Sequence, residues 1–588
     1  MKNIEVAELL NELADYLEFA NEPFKIRAYR KAALVIEGLS EDVEQVWNEN
    51  RLEELPGIGE GIAKKIDEFL KTGKLKYLED LKKKTPVDVE GLGKIEGIGP
   101  KTMLKLYRQL KVKTVNDLEK AAKQGKIQDI AGLGPVVEQN ILKSIEFAKK
   151  SKERVPLGFA LASAEEVVRM LKTLKEVERV GVAGSTRRMK ETIGDIDILA
   201  TLKPEKNKVF LGPENSKDFL GNPEKVIDFF AKMPNAADVL AKGATKSSVR
   251  LKEGIQVDLR VLDDKIFGAA LLYFTGSKEH NILLRRIAIE KGLKLSEYGL
   301  FDRKTGKLVA SKTEDEVYKK LGMDYIEPEM REDEGEIELA QHHMLPKIIG
   351  YNDIRGDLQM HTKWSDGSNT IEEMALAAKK LGHEYICITD HTGKLAIAHA
   401  LDAKRIAEQR KEIDKASKKL NAITVLQGVE VNITDDGSLD MPDKVLKELD
   451  IVVASIHSGF KNSKEKITKR MVMAMENENV DIIAHPTGRL ITKRESYDID
   501  LDAVFDAAKK TGTIMEINSY PERMDLRDIH VRAAVKAGVK LAISTDAHNA
   551  DQLHFIKLGI GTARRGWAAR NDVINTRRLK EMMRMLKS

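Results

Sequence analysis

The stretch GSTRRMKETIGDIDILATL, residues 184–202, joins a glycine turn to a segment in which apolar residues alternate with aspartates. Asp195 and Asp197 are two residues apart on this predicted strand, so both side chains point to the same face of the sheet. Two neighbouring carboxylates repel each other unless cations lie between them. An Asp-x-Asp pair alone is common at solvated strand ends, but here it follows a Gly-Ser-x-x-Arg turn. The combination favours a metal-dependent site.

A third carboxylate and an anion-binding turn complete the predicted site. Asp258 lies in the alternating segment IQVDLRVL (255–262) and could join the other two from a neighbouring strand. Three carboxylates suit a pair of Mg²⁺ ions about 3.5–4 Å apart, which activate a hydroxyl and stabilise a leaving phosphate. The turn offers three groups that could hold a triphosphate: Gly184, Ser185 and Arg188.

Three segments before this site resemble one another: LPGIGEGIAKKI (55–66), IEGIGPKTMLKL (95–106) and IAGLGPVVEQNI (130–141). In each, a Gly-x-Gly unit precedes an amphipathic helix, so backbone N–H groups and a helix N-terminus could grip phosphate. A tight helix–helix turn would explain one copy, but three copies favour helix–hairpin–helix DNA binding. The third copy has no cation close to it in sequence and could be structural only. The predicted contacts are Gly57, Gly59, Lys65, Gly97, Gly99, Lys101, Gly132 and Gly134.

Nine of the 12 histidines lie after residue 350, where predicted strands alternate with helices. Seven such repeats predict a barrel-like α/β domain with its site at the C-terminal strand ends. Imidazole and carboxylate groups follow six of these strands, a donor set that suits Zn²⁺ or Mn²⁺. The predicted metal ligands are His361, Asp366, His391, Glu430, His457, His485, Asp546 and His548.

Composition excludes several classes of protein. A single cysteine, Cys387, excludes an intramolecular disulfide and a Cys-rich zinc site. No apolar run of about 18 residues exists, and the N-terminus has no signal-peptide layout. The expectation is a cytoplasmic protein. Net charge is only +4, so any nucleic-acid surface must be local, and the arginines 564, 565, 577 and 578 are expected to be solvated.

The motifs around the three aspartates, and the segment that follows them, resemble those of DNA polymerase beta and its family X relatives. GS-x-RR followed by GDIDIL looks like the nucleotidyltransferase palm, and LLYFTGSKEHNILLRRIAIEKGLKLSEYGL (271–300) is similar to the thumb. The resemblance implies that the three aspartates hold two metals, with Asp258 nearest the primer 3′-hydroxyl. It implies a sugar pocket of Tyr273, Phe274 and Gly276, and minor-groove contacts from Asn281 and Arg285. Gln256 replaces a cation found near the primer terminus in the best-known relative.

The segment FKIRAYRKAA (24–33) resembles the small domain of the same family. This likeness implies that Lys25, Tyr29 and Arg30 bind a 5′-phosphate across a gap. Lys65 stands where lyase members place a Schiff-base lysine, which needs a depressed pKa to act as a nucleophile. Gly61 replaces a supporting lysine, so lyase activity and plain phosphate neutralisation both stay open.

The histidine-rich region resembles the polymerase-and-histidinol-phosphatase (PHP) domain, a distorted seven-stranded barrel with up to three metals. The likeness implies three ligand sets: His361, Glu430 and Asp546; Glu430, His457 and His485; Asp366, His391 and His548. The usual His-x-His opening is Gln359-x-His361 here, which predicts a looser first metal.

The predicted order of domains is that of bacterial and archaeal family X polymerases. It comprises a small helical DNA-binding domain (1–85), a helix–hairpin–helix domain (86–150), a palm (151–262), a thumb (263–330), a linker (331–350) and a PHP domain (351–588). The implied function is gap-filling DNA synthesis in base excision repair, with 3′-5′ exonuclease, 3′-phosphatase or apurinic-site endonuclease activity. Gapped or primer–template DNA and dNTPs are the expected partners, and a monomer would suffice.

Three rival interpretations remain. The chain could be a PHP phosphatase or nuclease with a non-polymerising DNA-binding half, a non-enzymatic DNA scaffold, or a nucleotidyltransferase for RNA ends or small molecules. The three glycine hairpins and the YFTGS segment favour a DNA polymerase.

Overall fold

The computed structural model describes residues 2–19, 22–37, 43–93, 95, 98–135, 137–139, 141–142, 144–145, 154–203, 222–393, 399–420 and 423–587. A helical region comes first, followed by two mixed α/β regions and a parallel barrel. This order confirms the predicted fold class. Within these ranges, every helix is too short or too polar to cross a membrane.

The N-terminal region is helical because its apolar residues recur at three- and four-residue spacing. A continuous apolar core extends from Val6 to Ile145. The segments predicted as domains 1–85 and 86–150 therefore pack around shared apolar contacts. The helices are α1 (Lys2–Phe19), α2 (Pro23–Glu37), α3 (Val43–Asn48), α4 (Glu60–Thr72), α5 (Lys76–Lys84), α6 (Val89–Gly93), α7 (Pro100–Leu110) and α8 (Val115–Lys123).

The palm is a sheet with its main apolar core on one face. Its described strands have the order β2-β4-β7-β6-β5, and β4 and β7 run parallel in the middle. Ile196 and Ile198 of β4 belong to the apolar core, which places the alternating Asp195 and Asp197 on the opposite face. The elements are β1 (Val155–Pro156), α9 (Leu157–Leu171), β2 (Val177–Val182), α10 (Gly184–Arg187), β3 (Thr192–Ile193), β4 (Asp195–Leu202), α11 (Pro223–Ala231), β5 (Ala236–Lys242), β6 (Lys246–Leu251) and β7 (Gln256–Leu262).

The apolar core of the thumb includes residues from the segment predicted as a linker. Ile337 and Ala340 pack in the thumb core, and Leu345 and Ile348 pack against it, so much of the segment predicted as a linker (331–350) is structured. The elements are α12 (Phe267–Thr275), α13 (Lys278–Glu290), β8 (Leu293–Ser296), β9 (Gly299–Asp302), β10 (Leu308–Ala310), α14 (Glu314–Lys320) and α15 (Glu336–Gln341).

Residues 327–336, which we call the acidic strap, connect the thumb to the barrel through ion pairs. Glu329, Arg331 and Glu336 are 4%, 0% and 0% exposed. The pairs are Glu327 and Glu329 with Arg564, Arg331 with Glu314, Glu332 with Arg188 and Arg565, Glu334 with Arg532, and Glu336 with His280. The expectation that Arg564 and Arg565 are solvated is wrong, because these carboxylates bury them.

The C-terminal domain is a parallel barrel, as predicted. In its described part, seven strands lie side by side in chain order, from β11 to β17. Met360 forms a parallel bridge with Ala547, which brings the first and last strands together. The strands are β11 (Gly356–Asp357), β12 (Tyr385–Ile388), β13 (Thr424–Asn432), β14 (Ile451–Ser455), β15 (Ile482–Ile483), β16 (Ile514–Asn518) and β17 (Leu541–Ser544). The helices are α16 (Ile371–Lys380), α17 (Ala403–Lys419), α18 (Asp443–Leu446), α19 (Lys464–Glu476), α20 (Leu501–Thr511), α21 (Asp528–Ala537), α22 (Ile556–Arg565) and α23 (Leu579–Met583).

Palm and barrel are joined by apolar contact as well as by ion pairs. Ile491, Met524 and Leu558 of the barrel belong to the same buried cluster as the palm core. Gly158 of α9 lies so close to Pro521 that a Cβ at this position would collide with the proline ring. The two domains therefore share buried surface.

Candidate active sites

The strands that carry the palm aspartates are neighbours. β4 pairs with β7 in a register that sets Asp197 opposite Asp258 and Asp195 opposite Gln256. Residues two apart on a strand share a face, so the three carboxylates lie together near the start of β4. The structure thus brings together the aspartates grouped from the sequence, and metal binding by them stays a prediction.

Asp197 is half-buried, whereas Asp195 is exposed. Burial raises the pKa of its carboxyl to about 6, and the charges of Asp195 and Asp258 add to the effect. Gly184, with a φ of 63°, packs against it, and a Cβ there would collide with Oδ2 of Asp197. A carboxylate crowded by two others is readily kept ionised by a cation, and three carboxylates are oxygen donors that fit Mg²⁺.

The raised pKa of Asp197 predicts a measurable stability effect. An Asp pKa that is higher in the folded state destabilises the fold above that pKa, and the cost disappears as pH falls from about 6 to about 4. We expect Asp197→Asn to raise the free energy of unfolding of the metal-free protein by up to about 3 kcal/mol at neutral pH, with no gain near pH 4. Denaturant titrations in EDTA across this pH range would measure it.

Added Mg²⁺ provides the matched comparison. Mg²⁺ should stabilise the wild-type protein and stabilise Asp197→Asn much less. A variant that is less stable than wild type at neutral pH in EDTA would contradict the crowding of the three carboxylates.

The turn before β4 supplies the predicted phosphate ligands. Ser185 and Arg188 line a cleft of about 380 Å³ between the palm and the barrel. Arg188 is 12% exposed, its Nε donates to Glu332 at 2.9 Å, and its Nη1 donates to the carbonyl of Thr275. The predicted phosphate ligand is therefore already paired with a carboxylate.

The predicted sugar pocket lies at the end of α12. The rings of Tyr273 and Phe274 meet edge to face, with centroids 5.1 Å apart. Asn281 donates to the carbonyl of Tyr273 at 2.7 Å, and Arg285 donates to the carbonyl of Asn281 at 3.2 Å. The structure therefore places these four residues together, and Gly276 follows α12 with a φ of 72°.

Two residues of β7 belong to the palm site but were not grouped with it from the sequence. Arg260 lies 4.4 Å from the ring centre of Phe274 and lowers the raised pKa of Asp197 by its charge. Gln256, noted only as a replacement, donates from Nε2 to Oδ1 of Asp258 at 3.1 Å. The two-residue alternation of QVDLRVL puts both on the face of Asp258, and this signal could have identified them.

The three glycine hairpins have equivalent geometry where they are described. Gly57 and Gly132 have φ values of 87° and 86°. Gly59 and Gly99 are the N-cap residues of α4 and α7. Nothing lies within 4 Å of where a Cβ would stand on Gly59, Gly99 or Gly134. Backbone at these turns is therefore open to a phosphate. Gly97 lies outside the described residues.

The third hairpin has a cation close to it in space. Lys105, from the helix of the second hairpin, donates to the carbonyl of Ala131 at 3.3 Å. Local sequence could not identify this lysine as a neighbour of the hairpin, because it lies 26 residues away along the chain. Lys101 of the second hairpin is exposed.

The predicted 5′-phosphate residues are partly brought together. The Nζ of Lys65 lies 5.8 Å from the ring centre of Tyr29 and donates to the carbonyl of Gly61 at 3.0 Å. Tyr29 is only 5% exposed. Lys25 is exposed and pairs with Glu22, whereas Arg30 pairs with Asp15.

Glu430 of β13 is the centre of the histidine cluster. Its Oε1 lies 2.9 Å from Nε2 of His485 and 3.1 Å from Nε2 of His457. Its Oε2 lies 3.3 Å from Nε2 of His361, which is itself 3.0 Å from Oδ1 of Asp546. Glu430 lies near the end of β13, and the other four residues follow four other strands. They meet because the C-terminal ends of parallel strands lie at one face of a barrel.

The remaining ligand candidates surround Asp366. Its Oδ2 lies 3.5 Å from Nε2 of His391 and 3.4 Å from Nε2 of His548. The ring of His361 stacks between those of His391 and His548, at centroid distances of 4.5 and 4.4 Å. His391 also approaches Glu430 at 3.5 Å, so it faces two of the predicted ligand sets rather than one.

Buried polar atoms in this cluster fit the presence of metal ions. The Nδ1 atoms of His361, His391 and His485 and the Oε1 of Gln359 have no hydrogen-bond partner among the described residues. Buried polar atoms in native proteins are nearly always paired. Burial also lowers the pKa of His391 to about 4, which leaves its imidazole neutral, as metal ligation requires.

Several residues around the cluster were missed from the sequence. Glu516 is fully buried and accepts from the backbone N–H of His485 at 2.7 Å. Asn518 donates to Asp546 at 3.1 Å, and Nε of Arg523 lies 3.4 Å from the same carboxylate. Glu516 and Asn518 alternate on β16, a pattern that could have been noted. Gln359 donates to Glu430 at 3.1 Å, so the amide in the unusual opening motif holds a ligand candidate.

Known protein families match four parts of the chain. Family models match a helix-hairpin-helix domain at residues 1–75, a SAM-like helix-hairpin-helix tandem at 89–146, a DNA polymerase beta thumb at 270–332 and a PHP domain at 357–520. The DNA polymerase/3′-5′ exonuclease PolX of Bacillus subtilis (strain 168) is 40% identical over 591 residues, which span 100% of both chains. A probable phosphatase of Thermoanaerobacter sp. (strain X514) is 37% identical over 207 residues, 33% of this chain and 78% of that protein.

Proposed function

Because the chain belongs to the family X DNA polymerases that carry a PHP domain, we propose that it fills short gaps in DNA and trims primer 3′ ends. One observation carries the proposal. Asp197 faces Asp258 across adjacent strands, while the same chain gathers five histidines and three carboxylates at the barrel. Two separate centres with different donors fit two reactions on one substrate.

At the palm, we assign Asp195, Asp197 and Asp258 to two Mg²⁺ ions, which would activate the primer hydroxyl and stabilise the leaving pyrophosphate. Gln256 orients Asp258 through its hydrogen bond. Ser185 and Arg188 bind the triphosphate of the incoming dNTP from the turn. Tyr273 and Phe274 line the pocket for the sugar of the incoming nucleotide and disfavour a 2′-hydroxyl there.

At the barrel, the cluster would hold up to three Mn²⁺ or Zn²⁺ ions, which supply an activated water for phosphoester hydrolysis. Glu430 joins two ligand groups, and Gln359 and Asn518 orient the carboxylates that they contact. Arg523, which is 21% exposed beside Asp546, is suited to neutralise a substrate phosphate.

We propose that the glycine hairpins bind DNA without regard to its base sequence. Gly59, Gly99 and Gly134 present open backbone to phosphates, and such contacts position a duplex without reading bases. Lys25 and Lys65 are suited to a 5′-phosphate, and lyase chemistry by Lys65 stays a prediction. A monomer contains every residue named, and a DNA substrate fits the cytoplasmic location expected from the sequence.

A 3′-phosphatase activity is the second candidate for the barrel. Some relatives that match about a third of the chain are named probable phosphatases, among them the Thermoanaerobacter protein described above. A substrate ending in a 3′-phosphate would distinguish terminal phosphate removal from nucleotide removal.

A one-nucleotide-gapped duplex tests the whole proposal. With Mg²⁺ or Mn²⁺ and the complementary dNTP, we expect the primer to gain one nucleotide. Without dNTP, we expect it to shorten from the 3′ end, faster with Mn²⁺. A protein that does neither, but hydrolyses a small phosphate ester, would overturn the DNA assignment.

A further inference from the structure

Glu332 of the acidic strap connects palm and barrel at a single carboxylate. Its Oε1 accepts from Nε of Arg188 at 2.9 Å and from Nη1 of Arg565 at 2.9 Å. Its Oε2 lies 3.3 Å from Nζ of Lys190. Arg565 also donates to the carbonyl of Arg188 at 2.9 Å. An arginine of the palm and an arginine of the barrel therefore share one anion.

This carboxylate remains charged in its half-enclosed position. Glu332 is 14% exposed, and burial alone would raise its pKa. The charges of Arg565, Arg188 and Lys190 outweigh burial, so the pKa lies below its ordinary value. A full negative charge thus stands at hydrogen-bond distance from the arginine assigned to the triphosphate.

A triphosphate that binds Arg188 competes with Glu332 for one guanidinium charge. Arg188 already gives Nε to Glu332 and Nη1 to the carbonyl of Thr275. A guanidinium has five N–H donors in a fixed planar fork, so an anion that takes Nε must displace the one already there. If Glu332 leaves Arg188, Arg565 and Lys190 still pair with it, which avoids an uncompensated buried charge.

We infer that Glu332 is a positioning residue that occupies Arg188 until a nucleotide binds, and that Arg565 of the barrel retains Glu332 when the triphosphate takes Arg188. The inference rests on the proposed polymerase function. The exchange requires only side-chain movement, because the two domains also share buried apolar surface. It couples nucleotide affinity in the palm to a residue of the PHP domain.

The two partners of Arg188 should have opposite effects on nucleotide affinity. Glu332→Gln keeps the size of the side chain but removes the competing charge, so we expect the Kd for the nucleotide to fall about 3- to 10-fold. Arg565→Gln removes one partner of Glu332, so Glu332 should pair more strongly with Arg188 and be harder for a nucleotide to displace. We therefore expect the Kd to rise about threefold. In the double variant, Arg565→Gln should change the Kd little beyond the effect of Glu332→Gln, because the carboxylate that Arg565 pairs with is no longer present.

The measurement is equilibrium binding of a non-hydrolysable dNTP to the full-length protein on a gapped duplex. The primer ends in a dideoxynucleotide joined by a phosphorothioate, which blocks both extension and trimming. Steady-state extension on ordinary DNA adds a second readout, in which Glu332→Gln should lower KM and leave kcat unchanged. Glu334→Gln is the matched control, since it removes a strap charge that pairs with Arg532 and not with Arg188.

The outcomes separate this inference from the function on which it rests. Wild-type protein that binds no nucleotide refutes the polymerase proposal. Wild-type binding together with an unchanged or raised Kd in Glu332→Gln overturns only the inference, as does an equal gain in Glu334→Gln. Arg188→Ala must weaken binding; normal binding by this variant would overturn the inference too. If Glu332→Gln lowers the melting temperature sharply, Glu332→Asp, which shortens the reach to Arg188, must still lower the Kd.

Discussion

Replacing Asp258 with asparagine is expected to abolish primer extension, by about 10³-fold or more, and to leave 3′ trimming unchanged. The asparagine keeps the shape of the side chain and a partner for Gln256, but it lacks the charge that we assign to the metal beside the primer 3′-hydroxyl. The measurement is single-turnover extension on a one-nucleotide-gapped duplex, with trimming followed separately without dNTP.

Asp228→Asn provides a matched control for this variant. Asp228 is a palm carboxylate on α11 that pairs with Lys242 at 2.6 Å, away from the three aspartates. The Asp228→Asn variant should extend primers at the wild-type rate. If Asp258→Asn extends as well as this control, the palm assignment is wrong, and synthesis must come from another centre.

Replacing Glu430 with glutamine is expected to abolish 3′ trimming by about 10³-fold and to leave extension intact. Glu430 lies at hydrogen-bond distance from three histidines, so the loss of its charge should release metal from two ligand groups. Bound Mn²⁺ or Zn²⁺, measured by elemental analysis of the purified protein, should fall together with the activity.

Two further variants test whether this loss is local. His457→Ala removes a ligand candidate at the rim of the cluster, 15% exposed, where folding is less at risk. It should reproduce the loss of trimming. His554→Ala removes an exposed histidine of the same domain and should trim normally. Retained trimming in both Glu430→Gln and His457→Ala would move the hydrolytic centre elsewhere.

Local patterns predicted the elements and much of both candidate sites. The two-residue spacing of Asp195 and Asp197 predicted their shared face, and the alternation around Asp258 predicted a strand that could lie beside theirs, because strand periodicity is a local property. The register between β4 and β7 agrees with both. The barrel ligand candidates were found for a similar reason: all eight lie at or after the C-terminal ends of six strands, and parallel topology brings those ends together.

Long-range charge pairing could not be predicted in this way. The composition of the acidic strap is that of a solvated linker. The arginines at the end of α22 look, by sequence alone, like charges on a solvated helix end. Each is buried because the other is present, more than 200 residues away in the chain. The same limit hid Lys105 beside the third hairpin and allowed His391 to be placed in only one ligand set.

The buried apolar surface shared by the palm and the barrel limits how a primer end can move between the two centres. Leu558 and Met524 are buried in the core of the palm, so swinging the barrel away would expose both to water, at a cost of roughly 1.5–3 kcal/mol for each side chain. We therefore expect the two centres to keep their separation during the reaction cycle. On the proposed function, a mismatched 3′ end would reach the hydrolytic centre by fraying and sliding of the DNA, and the ease with which the duplex melts would decide between synthesis and removal.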